Sequence, residues 1–115
     1  MKYLIGAALI VLVTLCSTLS WSDPSPRTIQ ITAKKFEYSP SEIHVKKGEA
    51  VVLEFKTEDR KHGFKVPELG LSAVIKPGEV THLAFTPDKV GRFEFHCHLF
   101  CGSGHESMTG AIVVE

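Results

Sequence analysis

The sequence predicts an all-β fold, a sandwich or barrel of short strands. Three observations carry that reading: apolar residues alternate with polar ones, turn residues recur at short intervals, and no segment past residue 22 keeps an apolar stripe at helical spacing. The chain is 115 residues long, enough for one small domain. Its 13 basic and 13 acidic residues balance, which argues against nucleic acid or an anionic membrane surface as partner.

The elements follow in order. Lys2 opens a leader whose uncharged, mostly apolar run spans Tyr3 to Leu15 and fades into Ser17, Thr18 and Ser20. Residues 1–22 are expected to be an export signal, with an uncleaved anchor as the alternative, because a spanning helix wants about 20 apolar residues. Cys16 follows Leu15 where lipid attachment favours a small residue, so a lipid anchor is the minority reading. Either way the domain is expected outside the cytoplasm, in the periplasm or on the outer face of the membrane. Contact with the membrane itself is expected only through that leader or anchor. Residues 23–27, with Pro24 and Pro26, read as a short linker, and residues 28–115 as the folded domain.

Within it, strands are predicted around Ile29 to Ala33, Ile43 to Val45, Val51 to Phe55, Phe64 to Val66, Val80 to Phe85, Arg92 to Cys97 and Ala111 to Val114. Ser39-Pro40, Lys47-Gly48, Pro77-Gly78, Thr86-Pro87-Asp88 and Gly91 separate them. Such regular punctuation argues against a parallel α/β sheet. Phe36, Phe55, Phe64, Phe85, Phe93 and Phe95 are the expected aromatic core. Alternation turns His44 and His82 outward and places Phe93, Phe95 and Cys97 on one face, opposite Glu94, His96 and His98.

Past the leader the cysteines are Cys97 and Cys101. A disulfide is the plain reading in an oxidising compartment, though it would close too small a loop to constrain the unfolded chain much. The neighbours favour a metal: His105 and Met108 complete Cys-x3-Cys-x3-His-x2-Met in one loop. Thiolate and thioether are soft enough for Cu(I), while imidazole also suits Cu(II). Zinc has little use for the methionine, and iron–sulfur ligation normally takes four cysteines. Glycines 102 and 104 give the loop its tight path, and Phe100 is positioned to shield a metal from water. No nucleophile–base motif stands out, so no catalytic residue is expected.

The segment Phe95-His96-Cys97-His98-Leu99-Phe100-Cys101-Gly102-Ser103-Gly104-His105-Glu106-Ser107-Met108-Thr109-Gly110 resembles the dinuclear CuA loop of cytochrome c oxidase subunit II, a member of the cupredoxin superfamily. The resemblance extends to His62-Gly63-Phe64, Pro77-Gly78-Glu79-Val80, Gly91-Arg92-Phe93 and Ala111-Ile112-Val113-Val114. It implies a cupredoxin-type Greek-key β-sandwich. It further implies two coppers bridged by Cys97 and Cys101, with His62 and His105 as imidazole ligands, Met108 as thioether and the main-chain carbonyl of Leu99. The family often has an acidic or amide side chain where Leu99 stands. His62 also fits on context, since it follows the charged run Glu58-Asp59-Arg60-Lys61 and would tie the C-terminal loop to the sandwich. His96 and His98 match no family ligand and read as an exposed pair beside the loop.

The function implied is electron transfer, with a c-type cytochrome or an oxidase as redox partner. A mononuclear blue-copper site, which would need one cysteine fewer, and a copper carrier or oxidase assembly factor are the alternatives. The single tryptophan, Trp21, lies in or beside the leader, so the domain carries no tryptophan for electron entry, which counts against membership of an oxidase.

Overall fold

The computed structural model describes residues 26–115; the expected export signal and most of the linker lie outside the described residues. Among the described residues there are nine strands and two single turns of 3₁₀ helix. The strands are β1 (Arg27–Lys34), β2 (Glu37–Ser39), β3 (Glu42–Val45), β4 (Val51–Thr57), β5 (His62–Val66), β6 (Leu71–Ile75), β7 (Thr81–Phe85), β8 (Gly91–His96) and β9 (Thr109–Val114). The 3₁₀ turns cover Pro67–Leu69 and His105–Ser107. No helix among them is long and apolar enough to cross a membrane.

The strands form two sheets, one ordered β2-β1-β4-β7 and the other β3-β9-β8-β5-β6. Most pairs are antiparallel, but β1 lies parallel to β4 and β3 parallel to β9. Alternation explains the core between the sheets. Val51, Leu53 and Phe55 of β4 point inward, as do Phe93 and Phe95 of β8 and Ile43 and Val45 of β3, and all are buried. His44 and His82 are exposed on the outer faces, where they pair with Glu42 and Glu54.

Two strands escape the sequence pattern. β2 is only three residues long and contributes one buried side chain, Tyr38. β6 alternates Leu71, Ala73 and Ile75 inward, but two of the three are only partly buried and Ser72 interrupts the apolar run. At other strands the boundaries move slightly. Val80 stands outside β7 and is exposed, and β8 ends at His96, one residue before Cys97.

The pairing of β5 with β8 locates the functional end of the sandwich. Lys65 lies opposite His96 in an antiparallel register, so the start of β5 runs alongside the residues that follow β8. His62 and Cys97 are thereby brought together from opposite ends of neighbouring strands. Beneath them, one pleat inward on the same face, lie Phe64 and Phe95, with ring centroids 4.7 Å apart. Tyr38 meets the Phe95 ring edge-on at 5.0 Å and Phe55 meets Phe64 at 4.6 Å. Each buried ring contributes about 1.5–3 kcal/mol through apolar burial. Aromatic pairing adds about 0.5–1.5 kcal/mol. The end of the molecule that carries the irregular loop therefore stands on a packed aromatic floor.

Candidate metal centre

Two chain segments build the centre. The first is the turn from β4 into β5, which leads into His62, the first residue of β5 and completely buried. A histidine enters the interior only if its nitrogens find partners or a ligand. Nε2 of His62 donates to Oδ1 of Asp59 at 2.7 Å, while Nδ1 is shielded from water and has no hydrogen-bond partner. Asp59 is itself well held. Its carboxylate accepts the backbone N–H of Arg60 at 2.6 Å and that of Lys35, from the β1–β2 turn, at 2.7 Å. Burial alone would raise the carboxyl pKa, but the hydrogen bonds from Lys35, His62 and Arg60 outweigh it and hold the group well below the ordinary carboxylate range.

The second segment is the loop between β8 and β9. Its base is closed by the N–H of Cys97 donating to the carbonyl of Met108 at 3.2 Å. The two cysteines are each only 2% exposed, and their sulfurs lie 3.2 Å apart, well beyond the ~2.05 Å of an S–S bond. The alternative of a disulfide in this state is thereby set aside. The Met108 sulfur is fully buried 3.9 Å from that of Cys101. The Leu99 carbonyl also turns toward the sulfurs and accepts the Cys97 thiol at 3.1 Å, an arrangement that depends on the main chain and not on the Leu99 side chain. Burial and the adjacent Cys97 sulfur raise the Cys101 thiol pKa, with the Arg60 guanidinium opposing them. His105 starts the 3₁₀ turn that leads to Met108, but its imidazole lies outside the described side chains.

Glycine makes the loop possible at two places. Gly102 has φ +137°, a backbone conformation that L side chains rarely adopt. Gly104 packs flat on the ring of Phe36, where any Cβ would collide with it.

Ligand atoms of His62, Cys97 and Cys101 all lie within 4.8 Å of one another. Among the described residues no other group of three His, Cys, Asp or Glu residues has this spacing. The donor set fits a soft, thiophilic metal: two sulfurs from cysteine, one from methionine, and an imidazole nitrogen that no protein group satisfies.

Asp59, described above, and two further neighbours of the site, Tyr38 and Arg60, went unread in the sequence. Tyr38 is buried below it, and its hydroxyl donates to the Gly63 carbonyl at 2.6 Å. Burial first, and then the two cysteine sulfurs, push its pKa far up, so it remains a neutral donor. Gly63 in turn donates its N–H to the Cys97 sulfur at 3.2 Å. Arg60 reaches across to the Cys101 carbonyl at 3.1 Å, linking the two segments directly. An aromatic residue flanked by turn signals at Ser39-Pro40 was the one available hint for Tyr38; nothing in the sequence singled out Arg60. Two expectations are corrected. His98 is half-buried against Gly63, which has no room for a side chain, so it does not form an exposed pair with His96. Phe100 is 85% exposed and leaves its ring in water instead of covering the sulfurs.

Comparison with known proteins finds relatives over most of the chain. The chain is 32% identical over 104 residues to cytochrome c oxidase subunit 2 of Thermus thermophilus, covering 83% of this chain and 77% of that protein. A second Thermus thermophilus subunit 2 matches at the same identity, with 62% of its length covered. Nitrous-oxide reductase of Ralstonia nicotianae is 34% identical over 92 residues, but those residues are 14% of its length against 76% of this chain. Among solved structures, a heme-copper terminal oxidase dimer contains a chain that superposes with a TM-score of 0.71 at 25% identity, covering 82% of this chain and 68% of that one. The model of the cupredoxin-like domain matches residues 6–114. Nine strands in two sheets, a sulfur-rich loop at one end and a match along nearly the whole length make this chain a member of the cupredoxin-like domain family, related to cytochrome c oxidase subunit 2.

Proposed function

We propose that this chain is an exported electron-transfer domain holding a dinuclear copper centre. The observation that carries the reading is the pair of buried, unbridged thiols 3.2 Å apart, with the unsatisfied Nδ1 of a buried histidine beside them. A single-metal site would need one thiol, whereas two sulfurs this close can be shared by a metal pair. In this reading Cys97 and Cys101 would supply thiolates shared by the metal pair, His62 and His105 imidazole nitrogen, Met108 its thioether and Leu99 its carbonyl. Copper, when bound, supplies a one-electron couple between its two oxidation states.

The residues around the site perform the remaining work. Phe64, Phe95 and Tyr38 keep water from the inner side and resist rearrangement, and rigid surroundings favour fast electron transfer. Gly63 donates to the Cys97 sulfur and so stabilises thiolate charge. No residue is assigned a catalytic role. The likeness to subunit 2 of an oxidase supports a redox partner such as a c-type cytochrome or an oxidase, and a periplasmic setting.

The test is metal stoichiometry with EPR on the reduced and reconstituted protein. Two coppers per chain and a hyperfine pattern from one electron shared over two nuclei are expected. One copper at saturation, with a one-nucleus pattern, would replace this reading by a mononuclear centre. Loss of copper to a chelator within seconds would instead favour a carrier.

A further inference from the structure

The four donor positions at 97, 101, 105 and 108 travel together in one loop, but His62 reaches them from another strand and must be aimed independently. An imidazole can turn about two side-chain bonds and can carry its proton on either nitrogen. Only one combination leaves a lone pair facing the sulfurs. Holding that combination without metal needs a fixed acceptor on the far nitrogen.

We propose that Asp59 is the positioning residue of the metal centre, receiving the Nε2 proton of His62 so that Nδ1 is presented, unprotonated, to Cys97 and Cys101. This rests on the copper reading above for its purpose but not for its geometry. Asp59 Oδ1 lies 2.7 Å from Nε2, and the opposite nitrogen is the one buried without a partner. The carboxylate cannot swing away easily. Oδ2 accepts the N–H of Lys35 at 2.7 Å and Oδ1 the N–H of Arg60 at 2.6 Å, while the N–H of Asp59 itself donates to the Thr57 hydroxyl oxygen at 3.3 Å.

Asp59 thereby ties the imidazole to the backbone of two separate turns, β1–β2 and β4–β5. The next residue extends the same device to the other segment, because Arg60 anchors the Cys101 carbonyl at 3.1 Å. Thr57 braces the turn from within by donating its hydroxyl to the Arg60 carbonyl at 2.6 Å. A carboxylate that orients a histidine through its far nitrogen is a common device at metal sites, and removing one typically weakens metal binding about 10- to 100-fold.

The experiment uses the full chain with Asp59→Ala, and with Asp59→Asn as a milder variant that keeps the size of the side chain. Long-range 1H–15N correlation on the metal-free protein reads the His62 tautomer, and competition with a copper chelator reads affinity. The wild type should show the proton on Nε2. Asp59→Ala should lose that single tautomer and bind copper about 10- to 100-fold more weakly. Asp59→Asn, whose one oxygen must serve Lys35, Arg60 and His62, should fall between them. A purely structural role would lower stability without moving the tautomer. The proposal is overturned if wild-type His62 carries its proton on Nδ1, or if either folded variant keeps both tautomer and affinity. A tautomer that responds to Asp59 in a chain that takes up no copper would sink the copper reading and leave the positioning role standing.

Discussion

The two segments that meet at the metal centre are built on opposite plans. The β8–β9 loop holds four of the proposed donor residues within twelve positions and has almost no regular structure of its own, only the 3₁₀ turn at His105–Ser107. The β4–β5 segment contributes one donor, His62, and surrounds it with hydrogen bonds. One segment carries the chemistry, and the other carries the geometry. The loop can afford irregularity because its two ends are clamped by β8 and β9 and its middle rests on Phe36.

Breaking the chemical half should have the largest effect. If the proposed dinuclear centre is right, Cys97→Ser or Cys101→Ser abolishes the shared-electron EPR signal and reduces copper uptake below two per chain, because each change removes one of the two proposed bridges. Both variants should keep their far-UV circular dichroism, since the sulfurs contribute little to the sandwich itself. A single variant that retained the wild-type signal would eliminate the bridging role of that cysteine.

Next in size is the floor on which both segments stand. Phe95 is fully buried between Tyr38 and Phe64. Phe95→Ala should cost about 3–5 kcal/mol in equilibrium unfolding of the metal-free protein. A loss below about 1 kcal/mol would show that the aromatic cluster collapses onto the gap and is less rigid than its packing indicates.

The same contrast explains what could be read in the sequence. The frame was legible because alternation and burial agree: Val51, Leu53 and Phe55, or Phe93 and Phe95, announce a buried face by spacing alone. The donor loop was legible because its residue types are rare and adjacent. What stayed hidden depends on contacts between residues distant in the chain. Tyr38 sits in a three-residue strand with no periodicity to reveal it, yet it reaches Gly63. Asp59 and Arg60 looked like ordinary members of a charged turn, and their partners Lys35 and Cys101 lie 24 and 41 residues away. His98 was turned outward by a strand alternation that ends at His96, and past that residue the loop folds it against Gly63 instead.

Acidity sharpens the comparison further. The raised pKa of Cys101 means that its thiol keeps its proton at neutral pH in the metal-free protein, and copper must displace it. Copper loading should therefore release protons, and apparent affinity should rise with pH up to the thiol pKa. A pH-stat titration measures this directly. Proton uptake, or an affinity that is flat between pH 6 and about 8, would contradict a protonated Cys101 thiol.

A smaller change should follow from Tyr38→Phe. The ring still fills its place against Phe64 and Phe95, so only the hydrogen bond to the Gly63 carbonyl is lost. Leaving that carbonyl unpaired in the interior should cost about 1–3 kcal/mol by chemical denaturation. Gly63 also donates to Cys97, so a small shift of the thiolate-to-copper absorption band should accompany it. A stability loss without any spectral shift would confine Tyr38 to the scaffold.

The smallest effect is expected at Phe100, and it distinguishes the loop's interior from its surface. Phe100 stands between the Leu99 carbonyl and Cys101, so its place in the sequence resembles that of a shield over the metal. Its ring is nevertheless 85% exposed, whereas Cys97 and Cys101 are each only 2% exposed. Both cysteines belong to the same buried cluster as Tyr38, Phe64 and Phe95, so a ring standing in solvent adds little to their dryness. Phe100→Ser should therefore change stability by no more than about 0.5 kcal/mol, as is usual for exposed positions. The copper spectrum and the rate of copper loss to a chelator should also match the wild type. Faster loss of copper or an altered EPR signal in this variant would mean that the ring folds over the site when metal is bound, and that the loop is less fixed than the frame beneath it.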